Sequence, residues 1–271
     1  MTFSDKYGPW ALVAGASDGL GSAFARALAE RGINVVLLSR RESVLRDLGR
    51  DIEQSTGVQT RVLAVDLATD GAAAEVIAAT DDLEIGTLVY CAGADPDFAP
   101  FLSQPVGNAE AMIRRNCLVP AQLSHHFADG MVTRGRGAIV VLGSGAGLAG
   151  GPNMVAYGAT KAFGMVFAEA LWAELHDTGV DVLGLILGKT DTPALRRLEH
   201  ARGRLAHPDD RPQDAVPVDD VIAEAFENLR NGPTWIVGAN MRAAAQMLGS
   251  VSRNEAVSLI AAASAAAMGQ D

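Results

Sequence analysis

Aromatic residues are scarce in this chain: 5% of 271 residues, including only three tyrosines and three tryptophans. Its apolar share of 49% is therefore mostly Ala, Val, Leu and Ile, enough for a sizeable core without many rings. Cysteine is scarcer still. Cys91 and Cys117 stand in neither a CxxC nor a zinc spacing, which excludes a disulfide framework and predicts two buried thiols in a reducing compartment. No window reaches the roughly 18 apolar residues of a membrane span, and the Ala-rich stretch LIAAASAAAM is too short and too weakly apolar. The opening MTFSDKYGPWALV lacks a basic-then-apolar leader. These absences predict a soluble, cytoplasmic protein. Positive charge is also in deficit: 22 basic against 32 acidic residues, a net −10. That field excludes nucleic acid as the main partner, while a local basic cluster remains able to bind one small phosphorylated ligand. His125 and His126 fit no metal pattern and are expected to face solvent; His176, His200 and His207 are scattered, so no metal is expected.

What is present is a rhythm. Short apolar runs at 10–15, 34–39, 60–67, 87–93, 137–144, 180–187 and 234–238 read as strands. Helical patterns lie between them, as in SAFARALAERG (22–32) and in 42–55, where Val44, Leu45, Leu48 and Ile52 fall at helical spacing. Continuous Val/Ile/Leu strands alternating with helices predict an α/β domain, 1–271, whose parallel sheet is covered on both faces. One stretch breaks the rhythm: 189–217 is polar, with Pro, Asp and Arg, and is expected to be a substrate lid.

Two patterns carry chemistry. The first is GASDGLG (15–21), at the junction of the first strand and first helix, with glycines at Gly15, Gly19 and Gly21. Glycine there permits a tight turn and lets the backbone approach a pyrophosphate at a helix N-terminus. An acid ending the second strand would hold ribose hydroxyls; here Ser39 stands in its place, followed by Arg40 and Arg41. A guanidinium favours a 2′-phosphate, so NADP (NADPH) is expected over NAD. The second pattern is Tyr157 with Lys161, four positions apart and therefore on one helical face.

Together these residues resemble the short-chain dehydrogenase/reductase family, over roughly residues 9 to 240. The glycine turn is similar to that family's TGxxxGxG, Asp66 in VDL to its acid after the third strand, and CAG (91–93) to its NAG. Asn116 matches its helix asparagine, and Ser144 with Tyr157 and Lys161 its Ser and YxxxK. LGKTDT (187–192) takes the place of its PG turn. YGPWALVAGASDGLGSAFARALAERG and VVLLSRR look like the branch of 17β-hydroxysteroid dehydrogenases and long-chain 3-oxoacyl-CoA reductases. The resemblance implies a Rossmann-type doubly wound sheet of about seven strands. It implies a catalytic set of Asn116, Ser144, Tyr157 and Lys161. It implies cofactor contacts from Gly15, Ser17, Asp18, Gly19, Leu20 and Gly21; from Ser39, Arg40, Asp66 and Leu67; from Cys91, Ala92 and Gly93; and from Leu187, Gly188, Thr190 and Thr192, with Asn116, Tyr157 and Lys161 shared. Two positions depart from the family. Cys91 replaces an Asn that helps stabilise the central sheet, and a thiol is a poorer hydrogen-bond partner. Leu187 replaces a Pro and so keeps its N–H.

The expected chemistry is reduction of a carbonyl, or oxidation of a secondary alcohol, on an apolar substrate such as a ketosteroid or 3-oxoacyl thioester. An ammonium at Lys161 favours the Tyr157 phenolate and tunes it as the acid; Ser144 would orient the substrate oxygen, and Asn116 would hold a water linking Lys161 to solvent. A non-catalytic NADP-binding regulator or sensor on the same fold is the alternative, which the intact Ser144, Tyr157 and Lys161 disfavour. A dehydratase or epimerase is a third reading, for which the length leaves little room. Arg196, Arg197, Arg202 and Arg204 read as a solvated face rather than a CoA-phosphate site. Leu148, Met154 and Leu195 are candidate pocket walls. The arc Ala162, Phe163, Val166, Phe167, Ala170, Leu171 and Leu175 is wider than one sheet face needs, which predicts a homodimer or homotetramer.

Overall fold

The computed structural model describes residues 2–94 and 97–268, and only the backbone from 264 onward. Its frame is a seven-stranded parallel sheet. The strands are β1 (Trp10–Ala14), β2 (Asn34–Ser39), β3 (Thr60–Ala64), β4 (Ile85–Tyr90), β5 (Gly137–Leu142), β6 (Val180–Ile186) and, after the two-residue strands β7 (Thr190–Asp191) and β8 (Val216–Pro217), β9 (Thr234–Ile236). The spatial order is β3-β2-β1-β4-β5-β6-β9. Order reverses between β1 and β4, and in such sheets ligands bind beyond the carboxyl ends of the strands at that switch. β4 and β5 are buried throughout, as expected of strands covered on both sides; β3, at an edge, is only half-buried.

Helices cover both faces. They are α1 (Phe3–Tyr7), α2 (Gly19–Ala29), α3 (Glu42–Thr56), α4 (Ala72–Ala78), α5 (Val106–Ile113), α6 (Val119–Arg134), α7 (Val155–Leu175), α8 (Pro193–Ala201), α9 (Val218–Glu227), α10 (Ala239–Gly249) and α11 (Arg253–Met268). One core unites Phe24, Leu28, Leu45, Ile52 and Val221 with inward residues of β1 and β2; the other sets Val76, Leu123, Met131 and Ala168 against the opposite face.

Several boundaries differ from the sequence reading. α2 begins at Gly19, not Ser22, because the later glycines of the turn already lie in its first turn. A Cβ on Gly21 would stand 2.1 Å from the Gly15 carbonyl oxygen, so only glycine fits there. Strands end up to three residues early, leaving their last residues as loops at the carboxyl edge. The 189–217 stretch is not bare loop: it holds α8, and its ends pair as a short parallel ladder, Thr190 with Val216 and Asp191 with Pro217. Cys91 and Cys117 are free, as expected, but half-buried rather than buried. No helix among the described residues is long and apolar enough to cross a membrane, and no group of metal-ligating side chains gathers among them. His125 and His126 are exposed.

Candidate active site

A cleft of about 1300 Å³ opens along the carboxyl ends of the strands. Pockets for one drug-sized molecule run to about 300–1,000 Å³, so this one has room for a long cofactor and a substrate together. Every residue expected at the cofactor, except Asn116, lines it, and so does Ser144.

Tyr157 and Lys161 both lie on α7, with the Lys161 Nζ 5.7 Å from the Tyr157 ring centroid. Phe98 meets the tyrosine edge-on at 5.9 Å between centroids. Lys161 is 7% exposed and donates to the Leu142 carbonyl at 2.9 Å, just where β5 ends. Burial pushes its pKa from the ordinary 10.5 down to about 8, and the Arg115 guanidinium pushes the same way. Near neutral pH the ammonium therefore remains mostly charged while surrounded by protein. The other two tyrosines contrast with this one. Tyr7 donates to Asp181 at 2.7 Å and Tyr90 to the Arg115 carbonyl at 2.5 Å. Burial raises both above the usual phenol value, so they serve as neutral donors.

Ser144 sits where β5 leaves the sheet, and its Oγ accepts from the Ala146 N–H at 3.2 Å, capping a short 3-10 turn. Asn116 lies behind the cleft rather than on its wall. It occupies a π-helical turn, Arg114–Leu118, between α5 and α6, where Val119 N–H donates five residues back to Arg114. Pro120, which has no N–H, follows immediately. Such turns mark functional sites. The Asn116 amide donates to Thr160 Oγ1 at 2.9 Å, and Thr160 donates to the Tyr157 carbonyl at 2.9 Å. Asn116 is thus bonded to the turn carrying the Tyr–Lys pair. Gly93, at φ +122°, makes this possible: a Cβ there would lie 2.5 Å from Asn116 Oδ1.

At the other end, Asp18 Oδ1 accepts from Gly19 N–H at 2.8 Å, at the N-terminus of α2. Arg41 donates to the Ser17 carbonyl at 2.7 Å and to its Oγ at 3.0 Å. Arg40 reaches the cleft with no hydrogen bond or ion pair of its side chain among the described residues. Asp66 accepts from Ala68 N–H at 3.0 Å. Backbone amides at a helix start, an unpaired guanidinium and a buried ammonium form a donor set that fits an anionic dinucleotide.

Some expectations change. The expectation of a solvated face holds for Arg197, Arg202 and Arg204, which are exposed, while Arg196 is half-buried; what the sequence does not show is that all four are also paired. Arg196 clasps Asp191 at 2.6 and 2.8 Å, Arg197 donates to Asp18 at 2.7 Å, Arg202 to the Asp97 carbonyl at 3.3 Å and Arg204 to Glu199 at 3.1 Å. Met154 and Leu195 do line the cleft, but Leu148 does not; its carbonyl accepts from Arg253 at 2.6 Å. Sequence reasoning missed Arg115, Met241, Leu248 and Ile260, which also line it. Met241 fills the space that Gly145 and Gly188 leave open, and Ile260 does so at Gly151.

Fold and cleft together define an oxidoreductase of the nicotinamide-dinucleotide-binding α/β class. The short chain dehydrogenase family model matches residues 9–203, and the chain belongs to that family, whose members bind NAD(P) and act on CH–OH groups. It is similar to the 7beta-hydroxysteroid dehydrogenase of Collinsella aerofaciens, 35% identical over 88% of this chain and 89% of that protein. A solved structure from work on 7beta-hydroxysteroid dehydrogenase stereoselectivity superposes with TM-score 0.87 at 32% identity, covering 96% of this chain and 99% of that one. A short-chain dehydrogenase from Sphingobium yanoikuyae in complex with NADPH gives TM-score 0.74 at 28% identity, over 90% and 96% of the two chains. Hydroxysteroid dehydrogenases, the branch expected from the glycine turn, are thus among its relatives.

Proposed function

We propose that this protein is an NADP-dependent carbonyl reductase or alcohol dehydrogenase for an apolar substrate of hydroxysteroid or 3-oxoacyl type. The observation that carries this reading is Lys161: an almost buried ammonium, one helical turn from Tyr157, at a cleft of about 1300 Å³ along the carboxyl ends of the strands. The nicotinamide, when bound, supplies or accepts the hydride. Tyr157 exchanges the proton with the substrate oxygen. The Lys161 ammonium lowers the cost of the phenolate left behind, and its hydrogen bond to Leu142 holds it in place. Ser144 Oγ donates to the same substrate oxygen and orients it. Asn116 acts through Thr160, fixing the turn from which Tyr157 and Lys161 project. Met154, Leu195, Met241, Leu248 and Ile260 give the substrate end of the cleft an apolar wall that excludes water.

NADP preference is supported by Ser39 at the end of β2, by the unpaired Arg40 and by the NADPH-bound relative. Arg40 offers one charge-assisted contact to a 2′-phosphate, about 1.5–3 kcal/mol. The test is NADPH and NADH oxidation against ketosteroids, 3-oxoacyl thioesters and simple aldehydes, with Arg40→Asp beside the parent. Turnover of an apolar ketone with NADPH preferred, and that preference narrowed or reversed by Arg40→Asp, is the expected result. Equal affinities for NADPH and NADH in the parent would remove the cofactor assignment, and no turnover of any ketone would remove the substrate class.

A further inference from the structure

Arg197 belongs to α8, 179 positions from Asp18, yet its guanidinium donates to Asp18 Oδ2 at 2.7 Å. The other oxygen of that carboxylate caps Gly19 N–H at 2.8 Å. One carboxylate therefore separates Arg197 from the N-terminus of an eleven-residue helix, the place where this family's dinucleotide puts its pyrophosphate. The carboxylate itself opposes an anion there. Arg197 offsets it at Oδ2, and Arg41 stands 3.7 Å from the same oxygen. A second contact fixes the approach of α8: Thr192, its N-cap, rests on Gly19, where an added Cβ would lie 3.0 Å from Thr192 Cγ2. Arg197 lines the same cleft as the glycine turn and keeps 60% of its side chain exposed, so it retains donors that Asp18 does not cover.

We infer that Arg197 is a cofactor-binding residue supplied by the 189–217 segment: Asp18 holds its guanidinium beside the pyrophosphate position, so that cofactor binding and docking of α8 reinforce each other. The inference rests on the dinucleotide reading above but not on the choice of NADP, because the pyrophosphate is common to NADP and NAD. This separates it from Arg40, whose proposed partner only NADP carries. A cation shared between Asp18 and a diphosphate gains a second anionic partner when the cofactor arrives, and α8 loses freedom to leave.

The experiment measures NADPH and NADH dissociation constants by fluorescence for the parent, Arg197→Leu and Arg197→Lys, with hydrogen exchange of the α8 amides with and without NADP+. Arg197→Leu should weaken both nucleotides by the same factor, about three- to tenfold for a half-exposed charged contact. Arg197→Lys should recover part of the loss. Cofactor should protect the 194–201 amides in the parent and protect them much less in Arg197→Leu. Unchanged affinities would overturn the inference and leave the ion pair as a clasp between α8 and the start of α2. A loss confined to NADPH would also overturn it, placing Arg197 at the 2′-phosphate. A parent that prefers NADH yet shows the equal losses would sink the NADP assignment and leave this one standing. A parent that binds neither nucleotide would overturn both.

Discussion

Replacing Lys161 with Met separates what this residue costs the fold from what it gives the chemistry. The folded-state pKa of about 8 against an ordinary 10.5 means that burial disfavours the ammonium. At about 1.4 kcal/mol per unit, that gap amounts to about 3 kcal/mol of stability forgone at neutral pH. The sign follows from proton counts. Below pH 8 both folded and unfolded chains hold the proton and the cost is fully present. Between about 8 and 10.5 the folded chain has released its proton and the unfolded chain has not, so stability rises with pH across that window. Met fills the same space without a charge, but it leaves the Leu142 carbonyl without its donor, a loss of about 1–3 kcal/mol. At pH 7.5 the variant should therefore unfold at nearly the same urea concentration as the parent, while turnover is lost and NADPH binds less tightly. At pH 10.5 the parent should be the more stable by about 3 kcal/mol relative to that starting difference. Taking parent minus variant cancels the titrating groups remote from Lys161; Cys91 and Cys117, whose pKa values burial raises and the Lys161 charge lowers, remain coupled to it. The assay is urea unfolding of both proteins at half-unit intervals from pH 7.5 to 10.5. A difference that stays flat over the whole range would refute the argument.

Tyr157→Phe should fold and bind NADPH normally while single-turnover oxidation falls by about 10²–10⁴-fold; full activity would end its assignment as the proton donor. Ser144→Ala should lower turnover with little change in cofactor affinity, which stopped-flow and fluorescence together will show. Gly93→Ala forces a Cβ onto Asn116 at a positive φ, so thermal unfolding should reveal a loss of about 1–3 kcal/mol, and parity with the parent would contradict the packing. Phe163 and Val166 on α7 are exposed, whereas Phe167, Leu171 and Leu175 pack on the sheet. Val166→Glu is accordingly expected to shift a dimer or tetramer towards the 28.2 kDa chain, and light scattering that finds only monomer in the parent would remove the proposed assembly.

The parts of this protein that could be read in its sequence are those where a residue type is nearly forced. Apolar strands buried on both faces leave continuous runs, so the order of β and α elements was visible. A glycine where a Cβ would strike Gly15, and a phenol and ammonium at a spacing of four, left equally plain marks. What stayed hidden has no local mark. Met241, Leu248 and Ile260 are ordinary apolar residues of C-terminal helices, and only the folded chain brings them to the cleft, Met241 against Gly145 and Gly188 and Ile260 against Gly151. The partners of Arg197 in α8 and of Arg202 just beyond it have no local mark, because Asp18 and the Asp97 carbonyl lie 179 and 105 positions away. The π-helical turn was missed for a different reason: Pro120 announces a broken hydrogen bond, not which backbone pattern replaces it. Strand ends were overextended because loop residues at a binding edge, such as Cys91 and Ala92, are as small and apolar as those within the sheet.

The two-residue ladder between β7 and β8 joins the ends of the 189–217 segment before it reaches the main sheet. Most of that segment's ion pairs also close within it: Lys189 and Arg204 with Glu199, Arg196 and Arg211 with Asp191. The result is a cassette with its own clasp and its own internal charges. Its contents can be exchanged while β6 and β9 keep their register. Because the ends are already tied, extra length is inexpensive: doubling the closed loop adds about 0.6 kcal/mol of closure entropy. A lineage can thus lengthen, shorten or redraw this insert at little risk to the scaffold, and diversity in what the cleft admits can accumulate there faster than anywhere in the sheet that supports it.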